Sequence, residues 1–272
     1  MLLRIEDLDP ARSKQSYIDA VFRNLSLLGF EWENEPVYQS RRSDAYQEAL
    51  EELEKQDLLY PCFCTRADLH AANAPHFGEE TIYAGTCRSL SCKQQHEKAE
   101  RRNPATRVKV PNKPITFIDI FQGAKTFNLA ECSGDFIVRR SDSVFAYQLA
   151  VVVDDAYMGV NSVIRGCDLI TSTPRQIFLQ RCLNLPTPAY GHVPLIVDSQ
   201  GKRLAKRNKD TDIDFLLNEK NMDAPELLGK LAYCTGLIDE PQSATLDELI
   251  RFADVSPIKG KERITVPFDA LG

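Results

Sequence analysis

The sequence predicts an α/β fold in which a mostly parallel sheet carries a metal-bearing insertion and ends in a short helical tail. Three observations predict it. Short β-type runs alternate with amphipathic helical stretches along most of the chain. One run, Leu149-Ala150-Val151-Val152-Val153, is apolar without interruption, as expected of a strand buried on both faces of a parallel sheet. A stretch over 61–104, rich in Cys, His, Ala and charge, breaks the alternation and reads as an inserted subdomain.

The elements follow in order. Met1-Leu2-Leu3-Arg4-Ile5 reads as a short buried strand closed by the acidic turn Glu6-Asp7-Leu8-Asp9-Pro10. Over 14–28, Tyr17, Ile18, Val21, Phe22, Leu25 and Leu28 share one helical face, and Gly29 is placed to stop the helix. A second helix is expected over 44–57, with Tyr46, Leu50 and Leu53 inward. Beyond the insertion, strands are expected at 106–110, 115–121, 136–139, 149–153 and 162–165. Thr173 can then cap a helix, with Pro174 at its first position and Gln176 reaching back. Helices at 213–220, 225–235 and 245–253 complete the tail, Gly236 ending the second.

Composition excludes several classes. A net charge of −6 over 272 residues argues against a generally basic nucleic-acid-coating protein, though not against a local binding face. Arg41-Arg42, Arg101-Arg102 and Arg139-Arg140 fit solvated surface, whereas the basic stretch 202–209 is denser. The apolar runs are too short to span a bilayer, and Arg4, Glu6 and Asp7 interrupt the first of them, so a cytoplasmic chain without a membrane partner is expected. No G-x-x-x-x-G-K-[ST], G-x-G-x-x-G or G-x-S-x-G motif occurs, and the histidines lack metalloprotease spacing.

Eight cysteines are present. Cys132, Cys167, Cys182 and Cys234 are scattered in apolar context and read as packing residues. Cys62, Cys64, Cys87 and Cys92 cluster, and spacing alone makes them the first candidates for a structural Zn2+ site, with His70, His76 or His96 as substitutes. A metal staple suits an insertion too polar and short to hold much core.

Three segments converge on a site: Arg4-Ile5-Glu6-Asp7-Leu8-Asp9; the run from Phe145 to Asp155 with Ile164-Arg165-Gly166-Cys167-Asp168-Leu169 after it; and the loop that opens at Gly201. Ligands of parallel α/β sheets bind at the carboxyl ends of strands, where Glu6, Asp154, Asp155 and Arg165 are expected to fall.

In this order the segments resemble the R-I-E-D-x-D-P, Y-x-L-A-V-V-V-D-D, I-R-G-x-D-L and K-M-S-K-S-type motifs of the glutamyl-tRNA synthetase branch of class I aminoacyl-tRNA synthetases. The resemblance covers residues 1 to about 210 of the sequence. It implies a Rossmann-type sheet, glutamate and ATP as substrates, and Mg2+ accompanying the ATP. It implies that Glu6 receives the α-ammonium of glutamate and that Tyr147 and Arg165 read its carboxylate, a task suited to a guanidinium fork. Arg203, Leu204, Ala205, Lys206 and Arg207 would form the ATP loop, with Lys206 the catalytic lysine on the leaving pyrophosphate. That loop departs from the family pattern, with Arg203 for its first lysine and Ala205 for a serine. The family's C-x-C…Y-x-x-x-C pattern implies Cys62, Cys64, Tyr83 and Cys87 as zinc ligands, Tyr83 displacing Cys92.

The resemblance also divides the chain. Residues 1–60 and 136–200 would form the catalytic domain, 61–135 a zinc-containing insertion that grips the acceptor end of tRNA, and 201–272 the ATP loop and helical tail. With only about sixty-five residues after Lys206, the chain is similar to the short paralogue that transfers glutamate to queuosine at the wobble position of tRNA(Asp). No obligate protein partner is implied. The family's R-F-A-P-S-P-x-G-x-L-H-x-G opening is not found, so a truncated start with impaired ATP binding is expected. Pro75-His76-Phe77-Gly78 imitates it only inside the insertion. The alternative is accordingly a catalytically impaired, tRNA-binding remnant.

Overall fold

The computed structural model describes residues 1–10, 13–65, 67–68, 82–203, 213, 216–217 and 222–266. It begins with a β-α-β unit: β1 (Arg4–Ile5), α1 (Gln15–Leu27) and β2 (Val37–Tyr38), the strands parallel with Arg4 opposite Val37. After α1 the chain turns at Gly29, whose φ of 82° is one that an L side chain resists. Of the expected inward face, Ile18 is buried while Tyr17 is 60% exposed. α2 (Ser43–Lys55) buries Tyr46, Leu50 and Leu53, as its periodicity requires.

Next come β3 (Leu59–Cys62), α3 (Cys92–Ala99), β4 (Ala105–Val108), β5 (Pro114–Asp119), β6 (Gly123–Asn128), the short α4 (Leu129–Cys132) and β7 (Phe136–Arg139). β3, β4 and β7 form a small antiparallel sheet. β5 and β6 are a hairpin, but β5 also joins the main four-stranded sheet, of order β6-β5-β9-β8, with β8 (Ser162–Gly166) and β9 (Ala189–Val193). β9 runs parallel to both β5 and β8. Two strands from the 61–135 stretch thus lie beside strands that come much later in the chain.

The expected strand at 149–153 is a helix instead. α5 (Tyr147–Tyr157) packs between α2 and α6 (Thr173–Cys182), and its Leu149, Ala150, Val151 and Val152 are all buried. An element covered on every side shows neither the two-residue nor the 3.6-residue period, so an apolar run alone does not separate the two. Asp154 and Asp155 therefore sit on a helix, not at a strand end. At the start of α6, Pro174 occupies the first turn as expected, but Thr173 does not cap it. The Thr173 hydroxyl accepts a hydrogen bond from Arg165, and Gln176 donates to Gln148 rather than reaching back.

After β9 come β10 (Leu195–Val197), α7 (Ala224–Thr235), α8 (Leu246–Phe252) and β11 (Arg263–Thr265). β11 returns to pair in parallel with β10. α7 ends at Gly236 with φ 77°, and Thr245 and Glu248 form a reciprocal capping box on α8. The helix expected at 213–220 lies mostly outside the described residues. Leu28, Leu216, Met222 and Leu227 form a small cluster joining the tail to the end of α1. The main core lies between α2, α5, α6 and the sheets, around Tyr46, Leu53, Val108, Leu149 and Leu179. Among the described residues no helix is long and apolar enough to cross a membrane.

Candidate active site and metal centre

A cleft of about 770 Å³ opens between the edges of β1 and β8. Glu6, Tyr147 and Arg165 all line it, together with Arg4 and Asp155. β1 delivers Glu6 just past its carboxyl end, the first turn of α5 delivers Tyr147, and β8 delivers Arg165. Arg4 Nη1 donates to Asp155 Oδ1 at 2.6 Å, and its Nη2 lies 3.4 Å from Glu6 Oε1. Burial works against the Arg4 charge, but Asp155 outweighs it and holds the guanidinium above its ordinary pKa. Burial also pushes the Asp155 carboxyl upward, more than Arg4 draws it down. The Tyr147 phenol is raised by burial, with Arg165 opposing, so it stays a neutral donor near neutral pH.

The two adjacent aspartates of α5 do different work. Asp154 is fully buried and accepts from Arg42 Nε (2.6 Å), Tyr46 Oη (2.7 Å) and Gln39 Nε2 (2.8 Å). Arg42 also stacks over Tyr157, its guanidinium carbon 3.8 Å from the ring centroid. Asp154 therefore ties the β2–α2 junction to α5, while Asp155 faces the cleft.

Three cysteines of the 61–104 stretch form a second centre. Cys62, Cys64 and Cys87 present sulfurs within 4.8 Å of one another. The Tyr83 hydroxyl lies 3.5 Å from Cys62 Sγ and 3.9 Å from Cys64 Sγ, and Cys64 and Cys87 sulfurs are 3.6 Å apart. A tetrahedral zinc site with bonds of about 2.3 Å has ligand–ligand edges of about 3.8 Å, so these four atoms fit around one such ion. Cys87 N–H donates to the Tyr83 oxygen (2.8 Å) and Arg107 Nε to Cys62 Sγ (3.2 Å), contacts that orient and charge-balance ligands. Burial opposes ionisation of Cys62, but hydrogen bonds from Tyr83 and Arg107 prevail and hold its thiol below the ordinary value. Burial and the neighbouring Cys62 push Cys64 up to about 12, so without a cation the cluster retains protons that a divalent ion would displace.

Cys92, one of the four candidates by spacing, is exposed at the start of α3, where Ser91 and Gln94 form the cap. His96 is exposed and lies 3.8 Å from Glu100. His70 and His76 lie outside the described residues. Gly134 closes the centre from behind. Its φ is +63°, and a Cβ there would sit 2.2 Å from the Tyr83 carbonyl oxygen. Gly134→Ala is expected to destabilise the protein by about 1–3 kcal/mol and to lower the bound-metal ratio, measured by thermal melting and elemental analysis.

Arg203 pairs with Asp168, which follows Arg165 by three residues, and bridges to Val197, so the described start of the basic loop reaches the turn after β8. Leu204, Ala205, Lys206 and Arg207 lie outside the described residues.

Residues 1–255 match the family model for the catalytic domain of class I tRNA synthetases (E and Q). A glutamyl-Q tRNA(Asp) synthetase of Symbiobacterium thermophilum is 40% identical over 99% of this chain and 86% of its own length. Its counterpart in Nitratidesulfovibrio vulgaris is 42% identical over 88% and 77%. The chain belongs to the glutamyl-Q tRNA(Asp) synthetase family of class I synthetases. A crystal structure of glutamate-tRNA synthetase from Elizabethkingia anophelis superimposes with a TM-score of 0.80 at 22% identity, covering 99% of this chain and 62% of that one. The fold is thus the class I synthetase fold.

Two residues that sequence reasoning missed stand behind the cleft of this glutamyl-Q tRNA(Asp) synthetase family member. Asp119 and His192 are buried and in contact, although 73 positions apart, and His192 touches Arg165. His192 lies in an apolar stretch, Ala189 to Val197, that offered no polar pattern to flag it. Asp154 was visible only as half of an acidic pair, with nothing local to separate its buried role from that of Asp155.

Proposed function

We propose that the chain activates glutamate with ATP to glutamyl-adenylate and transfers the glutamyl group to queuosine of tRNA(Asp). The observation that carries this is the convergence of Glu6, Tyr147 and Arg165 on one cleft at the carboxyl ends of parallel strands. In this reading the Glu6 carboxylate receives the substrate's α-ammonium, and Arg165 with the neutral Tyr147 phenol receives its side-chain carboxylate. The substrate's α-carboxylate then attacks the α-phosphorus of ATP, accompanied by Mg2+, and pyrophosphate leaves. Lys206, within the Arg203–Arg207 loop, would neutralise the charge developing on that leaving group.

The relatives' names, glutamyl-Q tRNA(Asp) synthetase, favour a transfer to tRNA(Asp), and the charged groups of the cleft favour glutamate as the group activated. Zinc would be held by Cys62, Cys64, Tyr83 and Cys87 as a structural ion, and the 61–135 segment around it would contact tRNA. The catalytic domain would comprise 1–60 and 136–200, joined in its sheet by the β5–β6 hairpin from the 61–135 stretch, with 201–272 bearing the loop and tail.

Glutamate-dependent ATP–pyrophosphate exchange without tRNA, followed by glutamyl transfer to queuosine-containing tRNA(Asp), tests the reading. Exchange and transfer together are expected. Absence of both from folded, metal-loaded protein would count against it. A chelator is expected to lower the melting temperature by several degrees, consistent with a structural ion worth a few kcal/mol.

A further inference from the structure

Arg165 ends a row of three groups, one from each of three adjacent parallel strands, and the two behind it are buried. Asp119 is the last residue of β5, His192 lies near the end of β9, and Arg165 lies near the end of β8, directly opposite His192 in the register. Arg165 Nε donates to His192 Nε2 at 3.0 Å, and Nη2 donates to Thr173 Oγ1 at 2.8 Å. The His192 ring is fully buried, and its Nδ1 is 2.5 Å from Asp119 Oδ2. Asp119 Oδ1 is committed elsewhere, accepting backbone N–H groups of Gln122 (2.9 Å), Phe121 (3.0 Å) and His192 (3.0 Å).

These contacts permit one protonation pattern. Asp119 Oδ2 can only accept, so Nδ1 carries the imidazole proton. Arg165 Nε–H can only donate, so Nε2 must offer its lone pair. The Thr173 hydroxyl, 3.2 Å from Nε2, can share that lone pair only as a longer second donor while accepting from Arg165. A doubly protonated ring would set Nε2–H against Nε–H and place a fully buried cation beside the Arg165 guanidinium. Burial and Arg165 accordingly lower the His192 pKa despite Asp119. Hydrogen bonds from His192 and the three backbone amides outweigh burial and keep Asp119 below the ordinary carboxyl value.

We propose that Asp119 and His192 are positioning residues for substrate recognition: by fixing the imidazole as its Nδ1–H tautomer, they aim the Arg165 guanidinium beside Tyr147 to meet a carboxylate in the cleft. The proposal rests on the reading of Arg165 as the carboxylate-binding group. It explains why a guanidinium at the edge of an open cleft has two of its nitrogens engaged before any ligand arrives. An arginine so anchored loses little side-chain freedom on binding, which favours affinity and directional selectivity.

Asp119→Asn provides the test, because it keeps shape and removes one acceptor. Its amide oxygen is held by the three backbone N–H groups, so its NH2 must face His192 Nδ1. Nδ1 then becomes the acceptor, the ring proton moves to Nε2, and a donor is turned against Arg165 Nε–H. Nitrogen-15 NMR of the 272-residue chain is expected to show His192 protonated at Nδ1 in the parent and at Nε2 in the variant. Glutamate binding, measured by calorimetry, is expected to weaken about tenfold or more, while the melting temperature stays within a few degrees. A flipped tautomer with unchanged glutamate affinity overturns the proposal, as does an Nδ1 that stays protonated.

Arg165→Ala separates the two levels. If it leaves glutamate binding unchanged, the carboxylate reading fails, while the NMR comparison still decides whether the pair orders Arg165 through the tautomer. Should Asp119→Asn fail to fold, His192→Gln and His192→Phe replace it. The first offers an amide oxygen to Arg165 and is expected to bind glutamate within about threefold of the parent. The second offers none and is expected to bind about tenfold more weakly. Equal affinity in the two overturns the proposal.

Discussion

Asp154→Ala is expected to lower the free energy of unfolding by about 3–5 kcal/mol, read from urea denaturation followed by circular dichroism. The carboxylate it removes is the shared acceptor for Arg42, Tyr46 and Gln39, and it has no exposed surface. Without it, the Arg42 charge and two neutral donors face a small cavity where water is poorly placed to replace an anion. Asp154→Asn should cost less, because its amide oxygen still accepts from one or two donors. The amide nitrogen, however, must then face another donor. Loss of under about 1 kcal/mol in the alanine variant would mean that the three donors find other partners and that the junction is not held by this residue.

Arg165→Ala is expected to reduce kcat/KM for glutamate in the exchange reaction by about 10²- to 10³-fold, with KM for ATP little changed. On the proposed reading the loss combines a missing partner for the substrate carboxylate with a vacant site between His192 and Thr173. Lysine should not restore activity. Its single ammonium cannot reach His192 and Thr173 through separate nitrogens and still present a flat edge to a carboxylate. An Arg165→Lys enzyme within threefold of the parent would show that charge alone suffices there and that geometry is incidental.

How much of this was legible in the sequence depended on whether the cause was local. α2 and α7 were readable because their buried faces repeat with the helical period and a glycine ends α7. The Cys62–Cys64 pair was readable because its close spacing is itself the signal. α5 was not, since its apolar residues meet neighbours on all sides and leave no polar face to set the period. Thr173 shows a subtler failure. Its sequence context suits a helix cap, yet its hydroxyl is taken by Arg165 and His192 from neighbouring strands. A cap is worth about 1 kcal/mol, less than a hydrogen bond to a charged group, so tertiary demand wins. Asp119 and His192 meet only because β5 and β9 lie side by side, an adjacency that no local window contains.

The pairing of β10 with β11 bears on the order of events during synthesis. Residues 195–197 lie just before the turn at Asp198 that leads into the basic loop, and their partners at 263–265 emerge about seventy residues later. Val266 N–H donates to the Val197 carbonyl, and Gly260 N–H to that of Phe121, so the returning segment clasps both the end of β10 and the turn of the β5–β6 hairpin. Closing so long a connection is slow relative to forming the helices within it. A ribosome-bound chain can therefore complete α5, α6 and the four-stranded sheet before β10 has its partner. β10 and the turn at Asp198 gain their anchor only when β11 emerges, so the strand beside the cleft-side turn is secured by residues made well after the sheet itself.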